Sequence, residues 1–170
     1  MYGTAIHARP SGDPAGGGST APRAAHDLLL GDAAIALLSL SPVQCDHDAL
    51  RSLLPAPPWV IHSARSLSAS VMEFLRQSGI ALVVCERDLM AGTWREALDS
   101  LMGLPRPPYL IVTSRVADEF LWAEALNLGA HDVLAKPFDR LELIRVLTSA
   151  WRHWRDRYQR SAPPAKAMRA

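Results

Sequence analysis

Five short, nearly unbroken apolar runs punctuate this chain, and helical spacing follows each of them. The runs are Ala34–Leu40, Trp59–His62, Ile80–Cys85, Tyr109–Thr113 and Asp132–Ala135. Apolar runs of this length, without polar alternation, read as strands buried on both faces. Strand alternating with helix five times over about 125 residues argues for an α/β fold, a parallel sheet covered by helices on both sides. Right-handed crossovers then leave few topologies.

The intervening segments carry helix signals. Ser41-Pro42 reads as an N-cap and first helical residue, with Val43, Leu50, Leu53 and Leu54 recurring up to Pro55. Ser66 or Ser68 opens the next helix, Val71, Phe74 and Leu75 share one face, and Gly79 closes it. Thr93 caps a third, with Trp94, Ala97, Leu98 and Leu101 inward, and Pro105 to Pro108 break it. Ala117 to Leu128 forms a fourth, closed by Gly129. Asp139 caps an extended last helix carrying Leu143, Ile144, Leu147, Ala150, Trp151 and Trp154 to about Tyr158. The domain is therefore expected over residues 33–155. Residues 1–30, rich in Ala, Gly, Pro and Ser, are expected to be disordered, and 156–170 to form a basic tail.

Composition narrows the function. With 49% hydrophobic residues in 170, a core of ordinary size is available. A net charge of +1 creates no global field that calls for nucleic acid or an anionic membrane. Cys45 and Cys85 are the only cysteines, so neither a disulfide framework nor a cysteine zinc site is expected. Cys85 sits inside an apolar run, as a small core hydrophobe does. His47, His62 and His131 lack metal-ligand spacing and are expected at the surface or in loops. No apolar run reaches the roughly 18 residues of a membrane span, and Pro10, Asp13 and Pro14 interrupt any secretory signal. A cytoplasmic protein is expected.

The run Ile80–Cys85 stops at Glu86, which places a carboxylate at the C-terminal edge of the sheet. In open α/β sheets that edge is where ligands bind. Asp88, two residues further on, is expected to be a solvated loop carboxylate.

Further residues carry a resemblance. Leu110-Ile-Val-Thr113-Ser114 is followed by Ala125-Leu-Asn-Leu-Gly129-Ala130 and then by Asp132-Val-Leu-Ala-Lys136-Pro137-Phe138. This pattern resembles the receiver domain of bacterial response regulators, in an atypical, stand-alone form. The resemblance implies a flavodoxin-like (βα)5 doubly wound parallel sheet of order 2-1-3-4-5. It also implies a site in which an aspartate at the end of the third strand accepts a phosphoryl group. An acidic pair at the end of the first strand holds Mg²⁺ beside it. A hydroxyl and a lysine, the latter often followed by a cis-proline, bind the phosphate.

Carried over singly, Thr113 matches the hydroxyl, Lys136 the lysine and Pro137 the proline. Glu86 stands at the phosphoacceptor position. Ser39 and Leu40, or a residue either side, stand at the acidic pair, so neither Mg²⁺ nor another cofactor is expected. Met90 and Trp94 replace the usual Pro and Gly of the loop after the third strand, and Val133 replaces the switch aromatic. Glu86 is then either a built-in partial mimic of the phosphorylated state or simply a carboxylate paired with Lys136. The family's partner face implies Phe120, Trp122, Val133 and Leu143 as a contact surface for a signalling partner or a second copy, with a histidine kinase upstream.

Two other readings stay open. One is a genuine phosphoacceptor using Glu86 or Asp88. The other is a nucleic-acid binder using Arg152, Arg155, Arg157 and Arg160 with the nearby aromatics, set against a merely solvated basic helix end. Nucleic acid is the less expected partner.

Overall fold

Each of the five apolar runs becomes a strand, and each strand runs parallel to its neighbours. The computed structural model describes residues 34–159. The expected disordered segment 1–30 lies outside the described residues, as do Arg160 and the tail beyond it. The strands are β1 (Ile35–Leu40), β2 (Trp59–Ala64), β3 (Leu82–Glu86), β4 (Tyr109–Ser114) and β5 (Asp132–Ala135). The helices are α1 (Gln44–Leu53), α2 (Ala69–Ser78), α3 (Trp94–Met102), α4 (Glu119–Leu128) and α5 (Arg140–Gln159). The sheet order is β2-β1-β3-β4-β5, the doubly wound order with its reversal between β1 and β3.

Strand residues alternate between two cores. Leu38, Leu40, Val83, Cys85, Val112 and Val133 pack with Leu75 of α2, Leu98 and Leu101 of α3, and Leu121 and Ala125 of α4. The intervening Leu37, Val84, Ile111 and Leu134 are buried on the opposite face. There α1 lies along β1 and β2, and α5 along β3 and β4. Leu50 of α1 and Leu143, Val146, Leu147 and Ala150 of α5 are the buried residues of those helices.

Local chemistry sets the helix ends. Thr93 makes a full capping box with Glu96, which satisfies donors at both sides of the turn. Asp118 and Ser68 cap α4 and α2 through their side chains, and Gly79 and Gly129 end those helices at φ of 64° and 104°, where a β-carbon is disfavoured. The start of α1 departs from expectation. Ser41 is not its N-cap; Val43 is, without a side-chain bond. The Ser41 hydroxyl accepts the Val43 N–H at 3.1 Å and donates to Asp46 at 2.5 Å instead.

The last helix is held along its length. Trp151 is buried, Trp154 donates its indole N–H to the Pro107 carbonyl at 3.1 Å, and Tyr158 packs on Trp154. The aromatic face therefore meets the domain itself. Among the described residues no helix is long and apolar enough to cross a membrane.

Cys85 is buried, and burial together with the neighbouring Glu86 pushes its thiol up to about 12, with Lys136 opposing. Cys45 is exposed. Thiolate is the reactive form, so a brief alkylation of native protein at neutral pH is expected to modify Cys45 and leave Cys85 intact. Peptide mass spectrometry reads this directly, and labelling of both at similar rates would show the strand to be open.

Candidate functional site

The C-terminal ends of β1, β3, β4 and β5 converge at one edge of the sheet. Register aligns Glu86 of β3 with Thr113 of β4. The amide of Lys136 donates to the Ser114 carbonyl at 2.9 Å, which anchors the start of the β5–α5 loop beside β4. The Lys136–Pro137 peptide is cis. Backbone pairing thus brings together three residues separated by 27 and 50 positions in the chain.

Lys136 is the centre of the cluster. Its ammonium bonds Asp46 Oδ2 at 2.5 Å and also bonds Glu86 Oε2. The three side chains are only 10%, 11% and 12% exposed for Lys136, Asp46 and Glu86. Thr113 Oγ1 lies 3.4 Å from Glu86 Oε2 and 3.3 Å from the Cys85 carbonyl, so its one proton has two acceptors in reach. The Asp88 amide approaches Glu86 Oε1 at 3.5 Å. Ser41 completes the arrangement through Asp46. Asp46 also lies in the first turn of α1, where the exposed amides of a helix favour a negative charge.

Glu86, Thr113 and Lys136 are therefore brought together, as the sequence predicts. Several expectations need correction. Leu40 is core, packed under α2 to α4, because strand alternation turns it away from the cluster. Ser39 faces α1, where its hydroxyl meets His47 Nδ1 at 2.7 Å. His47 is consequently buried and not a surface residue. Asp88, by contrast, is the solvated loop carboxylate expected of it, 72% exposed and forked by its neighbour Arg87. Val133 and Leu143 are buried in the two cores, and Trp122 is half-buried against the first of them. Of the four proposed contact residues only Phe120, at 86%, is freely exposed. The residue that sequence reasoning missed is Asp46. The one available signal was an acid in the first turn after β1, and acids in first turns are too common to be singled out.

Both buried carboxylates are committed to one ammonium. An octahedral oxygen site for Mg²⁺ needs carboxylates free to draw the ion from its waters. Here one lysine already occupies an oxygen of both Asp46 and Glu86 and offsets one of their two charges, and the strand-end positions carry Ser39 and Leu40. Among the described residues no three His, Cys, Asp or Glu side chains are placed to hold a metal. The donor set does not fit the ion, and no step is derived through it.

No protein-family model matches the sequence, and no curated protein sequence matches it. Solved structures do. One is the signal receiver domain of a protein described as a Luxo repressor from Vibrio parahaemolyticus, 15% identical with a TM-score of 0.68, covering 76% of this chain and 99% of that one. A second is the signal receiver domain of an HD domain-containing protein from Pseudomonas fluorescens, at 23% identity and a TM-score of 0.63, covering 72% and 98%. A third is the chemotaxis response regulator CheY4 of Vibrio cholerae, at 12% and 0.60, covering 69% and 98%. The chain has the receiver fold. Nearly the whole of each of these receivers is matched. This receiver fold closes the C-terminal edge of its sheet with a lysine between two acids.

Proposed function

We propose that this chain is a receiver-fold signalling module that works through protein contacts and does not depend on phosphorylation. The observation that carries this reading is the Asp46–Lys136–Glu86 bridge. Lys136 and Thr113, the two groups that would receive phosphoryl oxygens, are already engaged on Glu86 Oε2. Glu86 thereby stands as a fixed negative charge against the two groups that read phosphate in a working receiver. It supplies about one charge where a phosphoryl group supplies nearly two. The module needs no Mg²⁺ and performs no catalysis of its own.

The partner is a signalling protein of a two-component pathway or a second copy of the chain, met on the side of α4, β5 and α5. Phe120 and Leu141 are the large apolar side chains most exposed near that side. Exposed large hydrophobes of this kind are what contact surfaces use. A histidine kinase can dock there without transferring phosphate.

The test is incubation with acetyl phosphate and Mg²⁺, followed by intact-mass spectrometry. No mass gain is expected, for the wild type or for Glu86→Gln. A phosphoryl adduct present in the wild type and lost in Glu86→Gln overturns the reading, and an adduct retained there but lost in Asp88→Asn moves the acceptor to the loop.

A further inference from the structure

We propose that the first turn of α1 is a pH-responsive latch: His47 on Ser39 and Asp46 on Ser41 seat the helix over Lys136, and protonation of the buried imidazole unseats it. This rests on the reading of the cluster as a closed site, but it concerns how that site opens.

Ser39 lies on β1 and Ser41 directly follows its last residue, Leu40. Asp46 and His47 are consecutive in the first turn of α1. The structure joins them as two rungs, Ser39 Oγ to His47 Nδ1 at 2.7 Å and Ser41 Oγ to Asp46 Oδ2 at 2.5 Å. Only the second rung touches Lys136, through Asp46. The first holds the helix turn that carries Asp46, so His47 is a positioning residue.

The ring is 2% exposed, and its Nε2 has no partner among the described residues. A neutral ring fits this setting, with Nδ1–H donating to Ser39 and Nε2 left as a lone pair. A second proton places an N–H at Nε2 with nothing to accept it, and an unsatisfied buried donor is costly. Unseating the turn lets water solvate that proton. The Ser41 backbone, by hydrogen bonding, and Asp46 and Asp48 of its own helix favour the charged ring, and Arg51 opposes it. It meets the neutral Ser39 of β1 and the neutral Ser41 just beyond it, and the β5–α5 loop contributes Lys136, held on Asp46. Burial outweighs the favourable charges and holds the imidazole below its ordinary value of 6.5. The sign follows. The seated state binds fewer protons than the unseated one. Its advantage is complete above pH 6.5 and declines as pH falls below that value.

Lys136 and Lys166 are the only lysines, which makes a ratio measurement direct. The full chain is reductively methylated with formaldehyde and cyanoborohydride at about pH 7.5 and about pH 5.5, with linkage of one proton capping the change at about tenfold per unit. The expected result is a several-fold rise in methylation of Lys136 relative to Lys166 at the lower pH. His47→Asn keeps an amide for Ser39 and cannot titrate, so its ratio is expected to stay flat. Hydrogen exchange on the wild type provides the second measurement. Amides of Asp46 to Leu50 are expected to lose protection at the lower pH while Leu82 to Cys85 keep theirs. A flat wild-type ratio, an equal rise in His47→Asn, or loss of protection in β3 together with α1 overturns the latch. If His47→Asn does not fold, the wild-type exchange pattern decides. None of these readouts depends on phosphoryl transfer, so the latch and the proposed function fail separately.

Discussion

Lys136→Met lowers the stability of the protein by about 3 kcal/mol, as the loss of one partner of a buried ion pair does. Among the described residues Lys136 is the only side chain bonded to both Asp46 and Glu86, and all three are about nine-tenths covered. Methionine fills the volume of the lysine stem but leaves two carboxylates facing one another across the cavity. Their mutual repulsion and incomplete solvation are the whole of the expected effect, since little apolar contact is lost. Adding Glu86→Gln to Lys136→Met removes one of the two stranded charges, and part of the stability is expected to return. Urea denaturation at neutral pH on the wild type, the two single variants and the double variant measures the coupling. A loss below about 1 kcal/mol for Lys136→Met would place the cluster with ordinary solvated ion pairs and remove the basis for a closed site.

Leu143→Ala is expected to cost about 3 kcal/mol, whereas Phe120→Ala stays within about 0.5 kcal/mol. Both residues are large and apolar, and the resemblance to receivers implies both for one contact face. They differ in what covers them. Leu143 of α5 is fully buried, and truncation leaves a cavity that the packed strands cannot collapse to fill. Phe120 projects from the first turn of α4 into solvent, so its removal changes binding and not folding. Thermal or urea denaturation of the two variants separates the roles. A large loss for Phe120→Ala, or a small one for Leu143→Ala, would reverse the assignment of core and contact surface.

The contrast between those two residues shows where sequence reasoning stops. Val133 and Leu143 were placed on a partner face by analogy, yet an apolar residue in an alternating α/β chain has several surfaces to cover. Strand parity puts Val133 under α4. Helix phase puts Leu143 on the sheet. The strands themselves were legible, because continuous apolar runs bounded by Pro, Gly and carboxylates allow little else. The ends of α2, α3 and α4 were also legible, since Ser68, Thr93, Gly79 and Gly129 act on backbone groups a few residues away.

His47 and Asp46 mark the opposite case. Nothing local distinguishes them from the polar residues of any exposed helix. Their roles depend on Ser39 and Ser41 lying across from them and on Lys136 arriving from the far end of the chain.

The sequence by itself determined the α/β alternation, the five parallel strands and the meeting of Glu86, Thr113 and Lys136 at one sheet edge. The alternation and the parallel sheet follow from short-range periodicity and from the single handedness of crossovers, and the meeting of the three residues from the resemblance to receiver domains. Only the tertiary structure decided what closes that edge. Asp46 is 40 residues from Glu86 and 90 from Lys136, and one ammonium holds both carboxylates because the fold buries them where water cannot.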